Sequence, residues 1–150
     1  MEYIDSLIKN CELAKAAVPV REFVVASPSD LDGIVQAIYI IEEIGGDANK
    51  TFAAFSHYKQ TKVRACARRN APNNVLYVGS SSTGLKKRIS EHLGNGSSST
   101  YSLQLKHWFT GTHKVTVKVY DVQAAVLQIV EDALAHELRP AFGKMGSNNR

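Results

Sequence analysis

A glycine turn that leads into a basic helix brings together residue types able to hold a phosphate. Tyr77 and Gly79 end a predicted strand, and the predicted helix over residues 85–93 carries Arg88 and His92. Because His92 follows Arg88 by four positions, the two side chains project from the same helical face. A phenol hydroxyl, a planar guanidinium and an imidazole can bind and orient one phosphate group. We therefore expect an anion site between this strand and this helix.

A carboxylate on the last predicted helix is the second candidate for chemistry. Glu131 is flanked by Leu127, Val130 and Leu134 at helical spacing, so the apolar pattern directs it toward the core. A buried carboxylate costs free energy unless it is paired or binds a metal ion. The alternative is a glutamate at the edge of the stripe that reaches solvent or an ion pair. The presence of Arg88 in the same domain favours a functional role.

Length, cysteines and hydropathy narrow the class of protein. The chain has 150 residues, and we predict a single domain over residues 1–150. Cys11 and Cys66 lack the spacing of a zinc site, so we expect free thiols and a cytoplasmic location. No apolar run approaches the ~20 residues needed to cross a bilayer, so we expect no membrane partner.

Clustered cations predict a polyanionic partner. The formal net charge is +4, and the basic residues that we assign to nucleic-acid binding are Lys62, Arg64, Arg68, Arg69, Lys86, Lys87 and Lys144. Ser80 and Ser81, just after the glycine turn, can add hydroxyl and amide donors to phosphate oxygens. A solvated basic face and a plain flexible loop are the alternatives.

The spacing of apolar residues predicts a fold of the broad α/β class, and more specifically an α+β sandwich. Predicted helices cover residues 2–16, 51–60, 85–93, about 98–109 and 123–138, the last capped by Asp121, and predicted strands cover residues 35–42, 75–79 and 114–122. We expect a small three-stranded sheet, antiparallel or mixed, with helices against it. Residues 1–32 are predicted to form an N-terminal helical extension. Residues 43–74 are predicted to be an insertion between the first two core strands.

These motifs together resemble the GIY-YIG nucleases. The matching residues are Ala37-Ile38-Tyr39, Tyr77-Val78-Gly79, Arg88 with His92, Glu131, and Pro140-Ala141-Phe142. The resemblance covers about residues 33–148. It implies that the three-stranded central sheet is mainly antiparallel and flanked by helices, and it implies a nuclease activity.

The sequence departs from the family pattern in three places. Ala37 replaces the leading glycine of the first motif, and the insertion over residues 43–74 replaces a short hairpin. A competing alignment takes residues 63–68, which lack a tyrosine, as the first strand. Gly143 stands where the family has an asparagine, and Asn148 is our candidate to supply that amide.

The resemblance implies a metal-dependent endonuclease that hydrolyses DNA phosphodiester bonds with one Mg²⁺ or Mn²⁺ ion. Glu131 would hold the metal, and Arg88 would contact the scissile phosphate. Tyr39 would accept the proton of the attacking water. Tyr77 and His92 would orient water and phosphate or share the proton transfer.

Alternatives of other classes stay open at this stage. DNA is the expected partner and RNA is the second candidate. A homodimer is expected if both strands are cut, because one site serves one strand. A catalytically inactive nucleic-acid-binding module on the same scaffold is the alternative function, and a protein-interaction domain that docks through its first helix is a third.

Overall fold

The computed structural model describes residues 1–144. Its helices and strands are α1 (Glu2–Ala16), β1 (Arg21–Val24), β2 (Ala37–Ile44), α2 (Ala48–Gln60), β3 (Val75–Ser81), α3 (Leu85–Leu93), β4 (Thr112–Val119) and α4 (Ala124–Leu138). Except for one helix, the predicted elements are present with ends displaced by up to three residues, and one strand is additional. Within the described part of the chain, no helix combines the length and apolar character needed to cross a membrane.

The four strands form one antiparallel sheet in the order β1, β4, β2, β3. The predicted α+β class is confirmed, but the sheet has one strand more than the three predicted. The extra strand, β1, belongs to the predicted N-terminal helical extension and pairs Arg21 with Val119 and Val24 with Thr116. Four residues are too few to show a clear alternating pattern in sequence, and β4 supplies their hydrogen-bond partners.

Alternate residues of β2 build two apolar cores, one on each face of the sheet. Ile38 and Ile40 belong to the core under α4, whereas Tyr39 and Ile41 belong to the opposite core. Helices α2 and α3 contribute Phe55, Leu85 and Ile89 to this second core. Because β2 is buried on both faces, its sequence is a continuous apolar run. Helix α1 lies outside this sandwich and packs on α4.

Helix α2 occupies the first half of the predicted insertion. Asp47 caps its N-terminus by accepting hydrogen bonds from the amides of Asn49 and Lys50 at 2.9 and 3.2 Å. The start of the helix therefore lies three residues before the predicted residue, Thr51. The cap fixes where the chain turns after β2.

The second half of the insertion is a loop that anchors the end of α4. Residues 63–68 form no strand and take part only in an isolated bridge at Cys66, so the competing alignment is wrong. Asn73 Nδ2 donates to the carbonyl oxygens of Leu138 and Arg139 at 2.8 Å each. These carbonyls have no partner within the helix, and the asparagine satisfies them.

The predicted helix over about residues 98–109 is wrong. Only a short 3-10 turn forms there, at Leu105–His107. Gln104 has a φ of 55° in the left-handed region, and its side-chain amide donates to the carbonyls of Ala65 and Thr100 at 3.1 and 3.0 Å. These bonds, one to a distant residue and one within the segment, hold it in a non-helical path, because side chains that bond the backbone compete with a helix.

The predicted cap of α4 is also wrong. The helix begins at Ala124 with Gln123 as its cap, and no side chain caps it. Val122 packs against the core under α4, so the chain stays extended through Gln123. Asp121 therefore lies too early in the chain to cap the helix.

Candidate active site

Tyr39 reaches the open edge of the sheet by passing beneath Gly79. Strand β3 is the edge strand next to β2, and Tyr39 pairs directly with Gly79. The Tyr39 side chain is buried, with 1% of its surface exposed, and a Cβ atom on residue 79 would collide with Tyr39 Oη and Cζ. Glycine is therefore needed here for close approach, and it lets a phenol from an interior strand present its hydroxyl at the edge.

Tyr77 and Arg88 lie beside that phenol. The rings of Tyr39 and Tyr77 are nearly parallel, with centroids 6.1 Å apart. Arg88 Nη2 donates to Tyr77 Oη at 3.3 Å and to the carbonyl of Tyr101 at 3.1 Å, and Nη1 pairs with Glu91 Oε1 at 3.3 Å. Three of the five guanidinium donors are used by these contacts, which hold the group in place and leave others for a phosphate.

His92 lies behind Tyr39 and is fully buried. The backbone amide of Leu103 donates to His92 Nδ1 at 3.2 Å, so Nδ1 carries no proton. Burial, with the positive charge of Arg88, lowers the pKa of His92 well below its ordinary value. The neutral ring therefore carries its proton on Nε2, which donates to Tyr39 Oη at 3.0 Å. His92 orients the phenol.

The Tyr39 phenol keeps its proton in the free protein. Burial, followed by the effect of Tyr77, raises the pKa of Tyr39 well above its ordinary value, and Arg88 acts in the opposite direction. Because Tyr39 Oη accepts the hydrogen bond from His92, its own proton can be donated to a ligand in front of it. A nearby positive charge would favour loss of that proton.

Glu131 approaches the same place from α4. Gln128, one turn earlier, donates from Nε2 to Glu131 Oε2 and to Asp132 Oδ1 at 2.9 Å each. Burial raises the pKa of Glu131, and hydrogen bonds from Ser80 and Gln128 offset part of that rise. The arrangement supplies a partly desolvated carboxylate next to a hydroxyl oxygen.

These groups line one hollow of about 290 Å³ at the edge of the sheet. Its lining consists of Tyr39, Tyr77, Val78, Gly79, Ser80, Arg88, Gln128, Glu131 and Lys144. The structure thus brings together four of the residues singled out in the sequence as catalytic or metal-binding, with His92 directly behind them. Phenols, a guanidinium and a carboxylate around one water-accessible space can bind a phosphate and a hard cation together.

Other predicted nucleic-acid contacts lie elsewhere. Lys86 pairs with Asp32 at 2.7 Å and borders a different cavity. Ser81 Oγ accepts the amide of Gly84 at 2.9 Å and so shapes the turn before α3. Lys87 is exposed on α3, outside the lining of the hollow.

The basic residues of the insertion have different surroundings. Arg64 is half-buried, and its Nε donates to Gln104 Oε1 at 2.7 Å and its Nη2 to the carbonyl of Gly96 at 2.5 Å. Arg68 borders a second cavity next to the hollow. Lys62 and Arg69 are exposed and lie outside the linings of both cavities. Asn148, the predicted source of an amide, lies outside the described residues.

Gly143 has a structural reason to replace the asparagine of the family pattern. Its φ is 96°, in the left-handed region, and a Cβ atom there would approach the Tyr77 ring to 2.5 Å. Its amide donates to the carbonyl of Arg68 at 2.8 Å, which fixes this close approach. With this backbone, a side chain at position 143 would displace Tyr77.

Two residues of the site were not foreseen from the sequence. Gln128 binds the Glu131 carboxylate, and its position three residues earlier on the same helix is the signal that could have identified it. The Tyr101 carbonyl binds Arg88, and sequence gives no signal for a backbone contact between residues thirteen positions apart.

The donor set restricts which metal could bind. Within residues 1–144, no group of three or more histidine, cysteine, aspartate or glutamate side chains could hold an ion. A single carboxylate, Glu131, with oxygen donors nearby suits Mg²⁺, which keeps most of its waters and seldom uses a full protein cage. The hollow also leaves room for those waters.

Comparison with known proteins assigns the family. A family model described as the GIY-YIG catalytic domain matches residues 67–144, just over half of the chain, and includes Tyr77, Arg88 and Glu131. The searches of curated proteins and of solved structures found no significant match. The match starts after β2, so it does not include Tyr39, which the pairing of β2 with β3 places beside the matched Tyr77. The chain therefore belongs to the GIY-YIG family of nuclease domains.

Proposed function

We propose that this protein is a metal-dependent endonuclease that hydrolyses phosphodiester bonds of DNA. The observation that supports it most is the convergence of Tyr39, Tyr77, Arg88 and Glu131 on one hollow at the sheet edge. These four side chains come from two adjacent strands and two helices that lie far apart in sequence. Packing of the core does not require phenols, a guanidinium and a carboxylate around a space that is open to solvent.

Arg88 is the proposed ligand of the scissile phosphate. The donors that remain on its fixed guanidinium, on Nε and Nη1, can bind phosphate oxygens and stabilise the charge that develops on them during hydrolysis. The bonds to Tyr77 and Tyr101 preset its orientation before substrate binds. Lys144 adds a second positive charge at the rim of the hollow.

Tyr39 is the proposed partner of the attacking water. In the free protein it holds its proton, because burial raises its pKa. When substrate and metal bind, Tyr39 would release its own proton to bulk solvent. The hydrogen bond from His92 Nε2 and the positive charge of Arg88 would then stabilise the phenolate that remains. Tyr39 can then accept a proton from a water placed between it and the phosphate, and Tyr77 helps to orient that water.

Glu131 is the proposed metal ligand, with Mg²⁺ or Mn²⁺ as the ion. The bound ion would supply positive charge that neutralises the phosphate and favours departure of the leaving oxygen. Gln128 and Ser80 hold the carboxylate in the orientation this requires. Their hydrogen bonds also keep its pKa from rising further, which favours the ionised form that binds a cation.

Supercoiled plasmid DNA provides the decisive test. We expect nicking in Mg²⁺ by the native chain, and loss of nicking in Glu131→Gln and in Arg88→Lys. Lysine keeps the charge of Arg88 but cannot bind two phosphate oxygens through one planar group. Glu137→Gln, an exposed change on the same helix, is the matched control and should nick normally.

Two results would redirect the proposal. Gel-shift binding by the native chain without any nicking would establish the inactive nucleic-acid-binding module instead. Cleavage of an RNA of the same sequence in preference to DNA would change the substrate. If linear product appears with second-order dependence on protein concentration, two copies act together on the two strands.

A further inference from the structure

The segment Tyr101 to Leu103 is hydrogen-bonded to α3, the helix that carries Arg88 and His92. The Tyr101 carbonyl accepts a hydrogen bond from Arg88, and Ser102 Oγ donates to the carbonyl of Glu91 at 3.0 Å. The Leu103 amide donates to His92 Nδ1. Three consecutive residues are therefore fixed against the helix that carries the phosphate-binding groups. The position of Tyr101 relative to the hollow is set by these backbone and side-chain bonds.

The side chain of Tyr101 points outward at the border of a second cavity. The residue is 71% exposed, and the cavity has a volume of about 300 Å³. Tyr77, Arg88 and Lys144 line this cavity and also line the hollow. The two spaces are therefore neighbours that share the proposed phosphate-binding cation. A nucleic acid bound at Arg88 would extend directly past the Tyr101 ring.

Packing interactions do not explain why the Tyr101 ring lies exposed at this position. Within residues 1–144, the phenol of Tyr101 has no aromatic or hydrogen-bonding partner, although its backbone is held firmly. An exposed aromatic ring beside cations is the arrangement by which proteins bind single-stranded nucleic acids, because a base stacks on the ring while the cations bind phosphates. Bases inside a duplex already cover their faces by stacking on each other.

We propose that Tyr101 stacks on an unpaired nucleobase next to the scissile phosphate, so that the enzyme acts on DNA with unpaired nucleotides at the cleavage point. This inference rests on the proposed nuclease function and names the substrate class of the same site. The phosphate adjoining that base is bound by Lys144 and Arg88. The stacked base sets the register of the strand, which places the scissile phosphate over the hollow.

Binding to defined oligonucleotides tests the proposal. We would measure fluorescence anisotropy of a labelled single strand and of its blunt duplex, in a Glu131→Gln background that prevents cleavage. Tyr101→Ala should weaken single-strand binding by about 5- to 150-fold, the range known for loss of one stacked base. Tyr101→Phe keeps the ring and should bind like the parent. Tyr3→Ala, at another exposed tyrosine on α1, is the matched control and should change nothing.

A second measurement identifies the base. With the native protein, the cleaved bond is mapped on a DNA that contains a single-stranded tail, and the nucleotide beside it is replaced by an abasic analogue. We expect the native chain to cleave the abasic DNA more slowly than the intact DNA. Tyr101→Ala should cleave the two DNAs at the same rate, because the ring and the base form one contact. Independent, multiplicative losses in this pair would overturn the proposal.

Other outcomes separate this inference from the proposed function. If native protein nicks plasmid in a Glu131-dependent way while Tyr101→Ala binds single strands like the parent, the stacking proposal fails and the nuclease function stands. Equal losses on the single strand and the blunt duplex would also overturn it, since they indicate a backbone contact. If the native chain neither cleaves nor binds any of these DNAs, both proposals fail.

Discussion

His92 Nε2 donates a hydrogen bond to Tyr39 Oη across 3.0 Å, on the buried side of the phenol and away from the hollow. The direction of this bond is set from the other side of the ring, where the Leu103 amide occupies Nδ1. The histidine thus has one tautomer and one role, which is to hold the phenol. A general-base histidine would need a ring nitrogen open to the hollow.

The buried neutral state of His92 predicts acid sensitivity. Its pKa lies well below the ordinary value of 6.5 in the folded protein, so the unfolded chain binds the extra proton first as pH falls. This contribution to stability is fully present above 6.5 and is lost as pH falls from there toward the lowered pKa. We expect the free energy of unfolding between pH 7 and 5 to fall up to ~1.4 kcal/mol per pH unit more steeply in the native chain than in His92→Gln.

Urea unfolding at several pH values measures that difference. His136→Gln, at an exposed position on α4, is the control and should keep the native slope. Identical slopes for His92→Gln and the native chain would show that His92 does not remain neutral in the folded protein.

Tyr39→Phe should separate chemistry from stability. Loss of the hydroxyl removes the proposed proton acceptor, and nicking should slow by about 10²- to 10⁴-fold. It also leaves the buried His92 Nε2–H group without its acceptor, which should cost about 1–3 kcal/mol of unfolding free energy. Single-turnover cleavage and urea unfolding measure the two effects. Tyr58→Phe, on α2, is the control, and retention of activity by Tyr39→Phe would remove Tyr39 from the mechanism.

Sequence predicted the parts of the site that depend on local pattern. The helix that carries Arg88 and His92 was predicted with the correct ends, because its apolar residues recur at helical spacing. The apolar pattern directed Glu131 toward the core on the same grounds, and its side chain is half-buried. The position of a side chain can be predicted from sequence when it depends only on the periodicity of its own helix or strand.

Long-range contacts could not be predicted in the same way. Strand β1 forms because β4 supplies its hydrogen-bond partners, and the segment before Leu105 is irregular because Gln104 bonds to the distant carbonyl of Ala65. The pairing of Tyr39 with Gly79 across an insertion depended on the family resemblance. The spacing of residues in the sequence does not specify which strands pair when about thirty residues separate them.

Gly79→Ala tests whether the lack of a Cβ atom at position 79 makes room for the Tyr39 side chain. The added methyl group would collide with the Tyr39 phenol, and we expect a loss of about 1–3 kcal/mol in unfolding free energy together with loss of nicking. The loss should be smaller in a Tyr39→Leu background, because the shorter side chain vacates the space. Gly84→Ala is the matched control, since a Cβ atom there meets only Lys87 Cβ at 3.9 Å. Equal losses in both backgrounds would contradict this account.

Glu131→Gln should stabilise the metal-free protein while it abolishes activity. Because burial raises the pKa of Glu131 above the ordinary 4.5, the ionised carboxylate lowers folding stability at neutral pH. This penalty is absent below the ordinary pKa, where the group is protonated in both states, and it grows as pH rises through the raised pKa. At pH 7.5 without metal, Glu131→Gln should therefore melt at a higher temperature than the native chain, and the two should converge below pH 4.5.

Addition of Mg²⁺ should reverse that order. An ion that binds only the folded native chain adds about 1.4 kcal/mol of stability at a concentration ten times its dissociation constant. Glu131→Gln lacks the charged ligand, so its melting temperature should stay constant, whereas Glu137→Gln should respond like the native chain. Calorimetric melting with and without EDTA measures this. A native chain whose melting is indifferent to Mg²⁺ and Mn²⁺, or a Glu131→Gln chain that still responds, would rule out Glu131 as the metal ligand, because the stabilisation must follow the carboxylate that binds the ion.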